Sequence, residues 1–391
     1  MQKNHNDLLN VIRSALIGDV EIDANDIDFD SLFDLSKKHQ IIPLVFQGLH
    51  KTVGKFDGEE KYHQAVFKLM MRDQNQLYWT SKIVDTFKNN NIDHMLLKGS
   101  SVKKLYPATE MRIMGDVDIL IREEQYPLIR ELLSGLGLSE GKETDHELMW
   151  KASNDVLIEL HKKLIPSYND DYYSYYCDAW NKAVLVSDNC YSMSAEDEYI
   201  YLFTHLTKHY RDGGIGLRHI IDIWLFNVTH PEMDKDYIRA ELGKLELDKF
   251  HKNILDTIDV WFDGALETEL TSHVTERIIE SGSYGIKEWT DVAAATRLSE
   301  GASSVSSAKR KKILSLIFMP YSSMKRRYPI LERLPFLLPI MWVVRWFDAI
   351  FNRKKNVSRH IEKLNQIDEE KVDGYNKELE MVGLKFQFEK K

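Results

Sequence analysis

The sequence predicts an α/β (α+β) fold, a small mixed β-sheet set between helical regions. Three observations predict it. Apolar residues recur at helical spacing as far as an Asn-Asn-Asn at 89–91. Short apolar runs bounded by turn residues then take over between 92 and 193, and helical spacing returns from about 195. A period near 3.6 marks a helix with one buried stripe, and a period of 2 marks a strand with one buried face.

The chain has 391 residues, enough for two or three domains. The changes of period divide it into an N-terminal helical region (1–90), a strand-rich core (91–193), a helical domain (194–300) and a basic, partly apolar C-terminal region (301–391). Hydrophobic residues make up 43% and charged residues 29%, as in a folded globular protein. The net charge of −9 does not indicate a nucleic-acid-coating protein. It hides an asymmetry, however. Residues 301–391 carry 19 Lys/Arg against 10 Asp/Glu, a net of +9, leaving 33 against 51 in residues 1–300. Two cysteines, Cys177 and Cys190, form no disulfide framework or zinc motif and point to a reducing cytoplasm. The N-terminus lacks a signal-peptide apolar segment, and no uncharged apolar run is long enough to span a bilayer.

Taken in order, helices are expected at Asn6–Leu16, at Ser31–Leu49 with Asp30 or Ser31 as cap, and at Lys61–Asn89. Ile92–Leu97 reads as a strand, Ser100–Tyr106 as a short helix, Val117–Ile121 as a second strand and Glu123–Gly135 as a helix ended by glycines. Leu148–Ala152 and Val156–His161 form two more strands around a Ser153-Asn154-Asp155 turn, and a β-like pair lies near 184–193. Further helices are expected at about 195–210, 215–228, 234–246, 248–263, 267–280, 306–317 and 337–351.

The informative stretch is HMLLKGSSVKKLYPATEMRIMGDVDILI, residues 94–121. Residues i and i+2 of a strand share a face, so Asp116 and Asp118 project together while Val117 and Ile119 face the core. Two adjacent carboxylates repel unless a cation lies between them, and Mg²⁺ favours one or two carboxylates plus substrate phosphates. Upstream, Gly99-Ser100 follows a strand and opens a helix, where backbone N–H groups suit a phosphate. A third acid, Glu159, lies in the apolar VLIELH run with His161 on its face.

This arrangement resembles the nucleotidyltransferase fold of the polymerase-β type. More narrowly, LLKG (96–99), LYP (105–107), Arg112, GDVDILI (115–121), IELH (158–161) and the later histidine helix resemble the uncharacterised bacterial nucleotidyltransferase family over about residues 30–345. The resemblance implies that Gly99 and Ser100 hold a nucleoside triphosphate and that Asp116 and Asp118 are metal ligands. It makes Glu159 a third ligand or the base, and Lys98 and Arg112 neutralisers of phosphate charge. The wider superfamily carries Asp where this chain has Glu159. Two Mg²⁺ ions, an NTP donor (ATP in first place) and a hydroxyl acceptor follow. The acceptor is open among a sugar, another small molecule, a peptide and a protein.

His205 and His209, at i and i+4 in YLFTHLTKHYRD, lack the glutamate of a zinc protease. With Arg218 and Asp222 they are expected to line the cleft, in keeping with a His…His…Asp pattern in the family. Gly213-Gly214-Ile215-Gly216 reads as a helix–helix turn and Ser281–Gly285 as a flexible connection.

In the tail, LPFLLPIMWVVRWFDAIF (334–351) lies between Lys325-Arg326-Arg327 and Arg353-Lys354-Lys355, with Lys309-Arg310-Lys311-Lys312 further upstream. Core packing is the first reading of the apolar run. Contact of 309–355 with a membrane surface, at the inner face of the cytoplasmic membrane, is the second. Beyond 355 a charged helix or loosely held tail is expected. Two alternatives to an enzyme remain at this stage: a catalytically degenerate binding or regulatory module of the same fold, and a peripheral membrane protein.

Overall fold

The computed structural model describes residues 3–18, 20, 22, 23, 27–166, 169–299, 310, 313, 314, 317–352 and 369–385. The chain forms two compact units: residues 1–210, 214–285 and 382–384, and residues 211–213, 286–381 and 385–391.

The first unit begins with four helices, α1 (Lys3–Leu16), α2 (Phe29–Lys38), α3 (Ile42–Thr52) and α4 (Glu59–Asn89). α1 and α3 pack so closely at Gly48 that a Cβ there would stand 2.1 Å from the Val11 carbonyl oxygen. The single helix expected over Ser31–Leu49 is in fact two. Gln40 adopts a left-handed conformation (φ 58°), which ends α2, and Pro43 occupies the first turn of α3, where its missing N–H costs nothing. Asp28, not Asp30 or Ser31, caps α2 by accepting from the Ser31 amide at 3.0 Å.

Seven strands then form one mixed sheet: β1 (His94–Leu96), β2 (Val117–Ile121), β3 (Ser139–Glu143), β4 (Glu147–Lys151), β5 (Leu157–His161), β6 (Ala183–Ser187) and β7 (Cys190–Met193), in the order β3-β4-β5-β2-β1-β7-β6. Between β1 and β2 runs the four-residue helix α5 (Gly99–Val102), and between β2 and β3 lies α6 (Tyr126–Gly135). One sheet face is apolar. Val117, Ile119, Ile158 and Leu160 pack there with Ile83 and Phe87 of α4 and Ile129 and Leu133 of α6, all essentially inaccessible. Each such side chain contributes roughly 1.5–3 kcal/mol by burial. The alternate residues Asp118, Glu159 and His161 therefore emerge on the opposite face. The edge strand β3 was not expected from the sequence. Its residues Ser-Glu-Gly-Lys-Glu are all exposed and carry no apolar alternation.

Helices α7 (Asp170–Tyr176), α8 (Ala195–Asp212), α9 (Leu217–Thr229), α10 (Lys235–Lys244), α11 (Asp248–Ile258) and α12 (Glu269–Ser281) follow. The connection after α12 is tied down, with the Ser283 amide donating to the Lys38 carbonyl at 3.0 Å.

The second unit contains α13 (Lys287–Ser299), α14 (Tyr321–Arg327), α15 (Ile330–Arg333), α16 (Leu338–Asn352) and α17 (Glu369–Val382). The sequence reading overlooked α13. Most of the helix expected at 306–317, like Arg353-Lys354-Lys355, lies outside the described residues. α16 is half-buried on one face only: Trp342 and Trp346 donate to the Met319 and Ile317 carbonyls at 2.9 and 2.8 Å. Its Ile340, Val343, Val344 and Phe347, at positions i, i+3, i+4 and i+7, are exposed. Among the described residues no helix is long and apolar enough to cross a membrane.

Candidate active site

On its polar face the sheet borders a cleft of about 370 Å³ in the first unit. β2 and β5 run parallel in a register that sets Asp118 opposite Glu159. Asp116 precedes β2 by one residue and hydrogen-bonds Glu159, and His161 follows Glu159 by two on β5. Donor atoms of Asp118, Glu159 and His161 lie within 4.8 Å of one another.

Charges on the three acids are distributed unequally. Burial alone would raise Asp118, but Lys98 Nζ at 2.7 Å and His161 Nε2 at 2.6 Å, both on Oδ1, outweigh it and hold the carboxyl well below the usual range. Burial, and then the charges of Asp116 and Asp118, push Glu159 up to about 8. Asp116 is raised by burial and by Asp118. Glu159 thus tends to keep a proton beside Asp116. A divalent cation would replace that proton, and the oxygen-rich donor set suits Mg²⁺. The residues present fit such an ion.

Lys98, with φ of 50°, turns the chain out of β1 and brings Gly99 to the cleft wall. A Cβ at Gly99 would meet the Met114 sulfur at 2.8 Å. Ser100, expected beside Gly99 on the phosphate, is not among the residues lining this cleft. Its hydroxyl faces the Met114 sulfur at 3.9 Å. Arg112 lines the cleft, but its guanidinium is held by Asp222: Nη2 donates to Oδ2 at 2.7 Å and Nε to Oδ1 at 2.9 Å, and the Tyr106 hydroxyl donates to the same carboxylate at 2.7 Å. The segment carrying Met114 and Gly115 is held from behind by α4, where Arg72 donates to the Gly115 carbonyl and Gln76 to that of Met114.

α8 and α9 supply the facing wall. His205 and His209 meet at 3.1 Å, with the His219 ring beside both. Burial drives all three well below the ordinary histidine range, so they are neutral. Arg218 donates to two neutral oxygens, Gln40 Oε1 and the Ile113 carbonyl, each at 2.8 Å. Its buried Nε has no hydrogen-bond partner among the described residues. Burial, then the nearby Arg112, lower it to about 10.

The structure therefore gathers Lys98, Gly99, Arg112, Asp116, Asp118, Glu159, His161, His205, His209, Arg218 and Asp222 around one cleft. Sequence reasoning missed Glu147, which stands opposite His161 on β4, and His219 beside Arg218. Glu147 opens a strand recognisable by its period, and counting back from His161 across the turn would have found it. Nothing local marks His219.

The family described as uncharacterised nucleotidyltransferase matches residues 25–263. No curated protein matches. Two solved structures are similar over part of the chain. One is the antibiotic-resistance factor ANT(2'')-Ia in solution, with 14% identity and TM-score 0.33, covering 46% of this chain and 97% of that one. The other is ANT(2'')-Ia in complex with adenylyl-2''-tobramycin, with 13% identity and TM-score 0.33, covering 44% and 97%.

Proposed function

The chain belongs to the uncharacterised nucleotidyltransferase family, and we propose that it transfers a nucleoside monophosphate, with Mg²⁺ and with ATP as the donor, to a hydroxyl of a separate acceptor. The observation that carries this reading is the registered pair Asp118–Glu159 with Asp116 beside it, across the cleft from the incompletely bonded Arg218. Bound Mg²⁺ would be held by Asp116, Asp118 and Glu159 and would neutralise charge developing on the phosphate oxygens.

In this reading the acceptor oxygen attacks the α-phosphorus. A new P–O bond forms, the α–β bridging bond breaks, and pyrophosphate carries away the bonding pair. Glu159 serves in this reading either as the third metal ligand or as the base that takes the acceptor's hydroxyl proton. Arg218 offers its free N–H to a phosphate oxygen. Lys98 and His161 hold Asp118 ionised and oriented. Arg112, committed to Asp222, acts as a strut for the loop before Asp116 and as a source of positive potential.

Titration calorimetry with ATP, GTP, CTP and UTP, with and without Mg²⁺, tests the proposal. Metal-dependent binding of ATP in preference to the others, lost in Asp116→Ala/Asp118→Ala, is expected. Absence of nucleotide binding under every metal condition would favour the degenerate binding module.

A second, compatible reading rests on α16. Its exposed stripe of Ile340, Val343, Val344 and Phe347 belongs to a segment, 309–355, whose sequence holds 12 Lys/Arg and 2 Asp/Glu. Apolar side chains beside dense positive charge suit an anionic lipid surface. Co-sedimentation with anionic vesicles, reversed by high salt and by Val344→Glu/Phe347→Glu, is expected. No sedimentation at low salt would sink it.

A further inference from the structure

Outside the cleft, the turn from α3 into α4 brings two imidazoles onto one carboxylate. His50, in the last turn of α3, and His63, in α4, place Nε2 at 3.0 and 3.1 Å from the same Glu59 Oε1. The three donor atoms all lie within 4.8 Å of one another. Phe46 packs edge-on against both rings, with centroids at 4.5 and 4.7 Å from His50 and His63, and so restrains their planes. The Glu59 side chain is 15% exposed, beneath imidazoles that are 39% and 55% exposed. The carboxylate thus lies on the protein side and an open position faces water.

We propose that His50, Glu59 and His63 form a second metal site, for a zinc-like divalent cation, that staples α3 to α4. Two nitrogen donors and one oxygen select zinc or a related transition metal over Mg²⁺ or Ca²⁺. Zinc bonds of about 2.0–2.1 Å place tetrahedral neighbours about 3.3 Å apart. The two N–O edges already have nearly that length. Each imidazole binds through Nε2 and keeps its single proton on Nδ1. Water completes the fourth position. The chelate closes the short loop between Thr52 and Glu59, and α4 is the helix that supports Met114 and Gly115, so the staple anchors the scaffold behind the cleft without entering it.

The test uses the untagged full-length protein with saturating Mg²⁺, which occupies the oxygen-rich cleft. Zinc calorimetry and the visible absorption of added Co²⁺ are recorded for wild type, His50→Asn, His63→Asn and Glu59→Gln, with Glu159→Gln as the control for the cleft. One zinc per chain is expected in wild type. Its Kd rises at least tenfold in each of the first three variants and is unchanged in Glu159→Gln, with loss of the four-coordinate cobalt spectrum and of the zinc-induced rise in Tm. Glu59→Gln conserves shape and guards against a histidine variant that merely unfolds. Wild type binding no zinc, or zinc binding unaltered in all three variants, or zinc lost only in Glu159→Gln, would each overturn the proposal.

Discussion

Asp118 and Glu159 stand opposite one another on adjacent parallel strands, yet one is held ionised and the other is pushed to about 8. Lys98 and His161 both reach Asp118 Oδ1, whereas Glu159 faces Asp116, Asp118 and Glu147. Replacing Glu159 should separate function from stability. Glu159→Gln removes a metal donor and the proposed base, so kcat should fall at least ~100-fold. At pH 8 the fold should be equally or more stable, because the carboxylate repulsion is gone. Steady-state assays paired with urea unfolding check both parts. Undiminished kcat would remove Glu159 from the site.

Arg218 makes two hydrogen bonds to neutral oxygens and leaves a buried N–H unused. Arg218→Lys keeps a charge but loses the planar fork. A rise of roughly tenfold or more in nucleotide Kd is expected, about 1.4 kcal/mol or more, with little change in folding stability. Calorimetry beside a thermal melt reads the two quantities separately. An unaltered Kd would mean that phosphate does not reach this wall.

Asp222 accepts from Arg112 and Tyr106 and is buried with both. Asp222→Leu would leave a buried guanidinium without its counter-charge, a change that typically costs about 3–5 kcal/mol. The double variant Arg112→Met/Asp222→Leu should recover much of that loss, because the unpaired charge is gone as well. A double-mutant cycle in urea provides the coupling energy. Full additivity would show that the pair is not energetically linked.

Acid should weaken the fold through His39. Its Nδ1 accepts from the Leu217 amide at 3.1 Å, which places the single ring proton on Nε2, facing the Ile279 carbonyl at 3.0 Å. Burial lowers this histidine to about 4. The unfolded chain then binds more protons between pH 6.5 and 4, so stability is fully present above the unfolded value and is lost as pH falls through this window. The full effect is on the order of 3 kcal/mol. His251, also near 4 through burial, adds a loss of the same sign. Urea midpoints from pH 7 to pH 4.5 should fall less steeply for His39→Gln than for wild type. Parallel curves would exclude His39 as a contributor.

Much of the cleft was legible because the relevant rules are local. Alternation in GDVDILI and VLIELH assigned Asp116, Asp118, Glu159 and His161 to faces before any packing was known, and the same alternation located the apolar face. Where period was lacking, reading failed. β3 is wholly polar and exposed, because an edge strand outside the core needs no apolar face. The break at Gln40 escaped notice because no glycine marks it. His39 and its distant partners Leu217 and Ile279 help to hold that junction.

By itself, the sequence determined the strand and helix periods, the paired aspartates and the contrast between an acidic body and a basic tail, all of them properties of neighbouring residues. Tertiary structure decided which distant residues meet. The parallel register of β2 and β5 set Glu159 against Asp118, and the packing of α9 gave Asp222 to Arg112 while leaving Arg218 with an unused donor. Burial and counter-charge set protonation, and both depend on neighbours far apart along the chain. No local pattern could therefore show that one carboxyl of the cluster stays ionised while another keeps its proton.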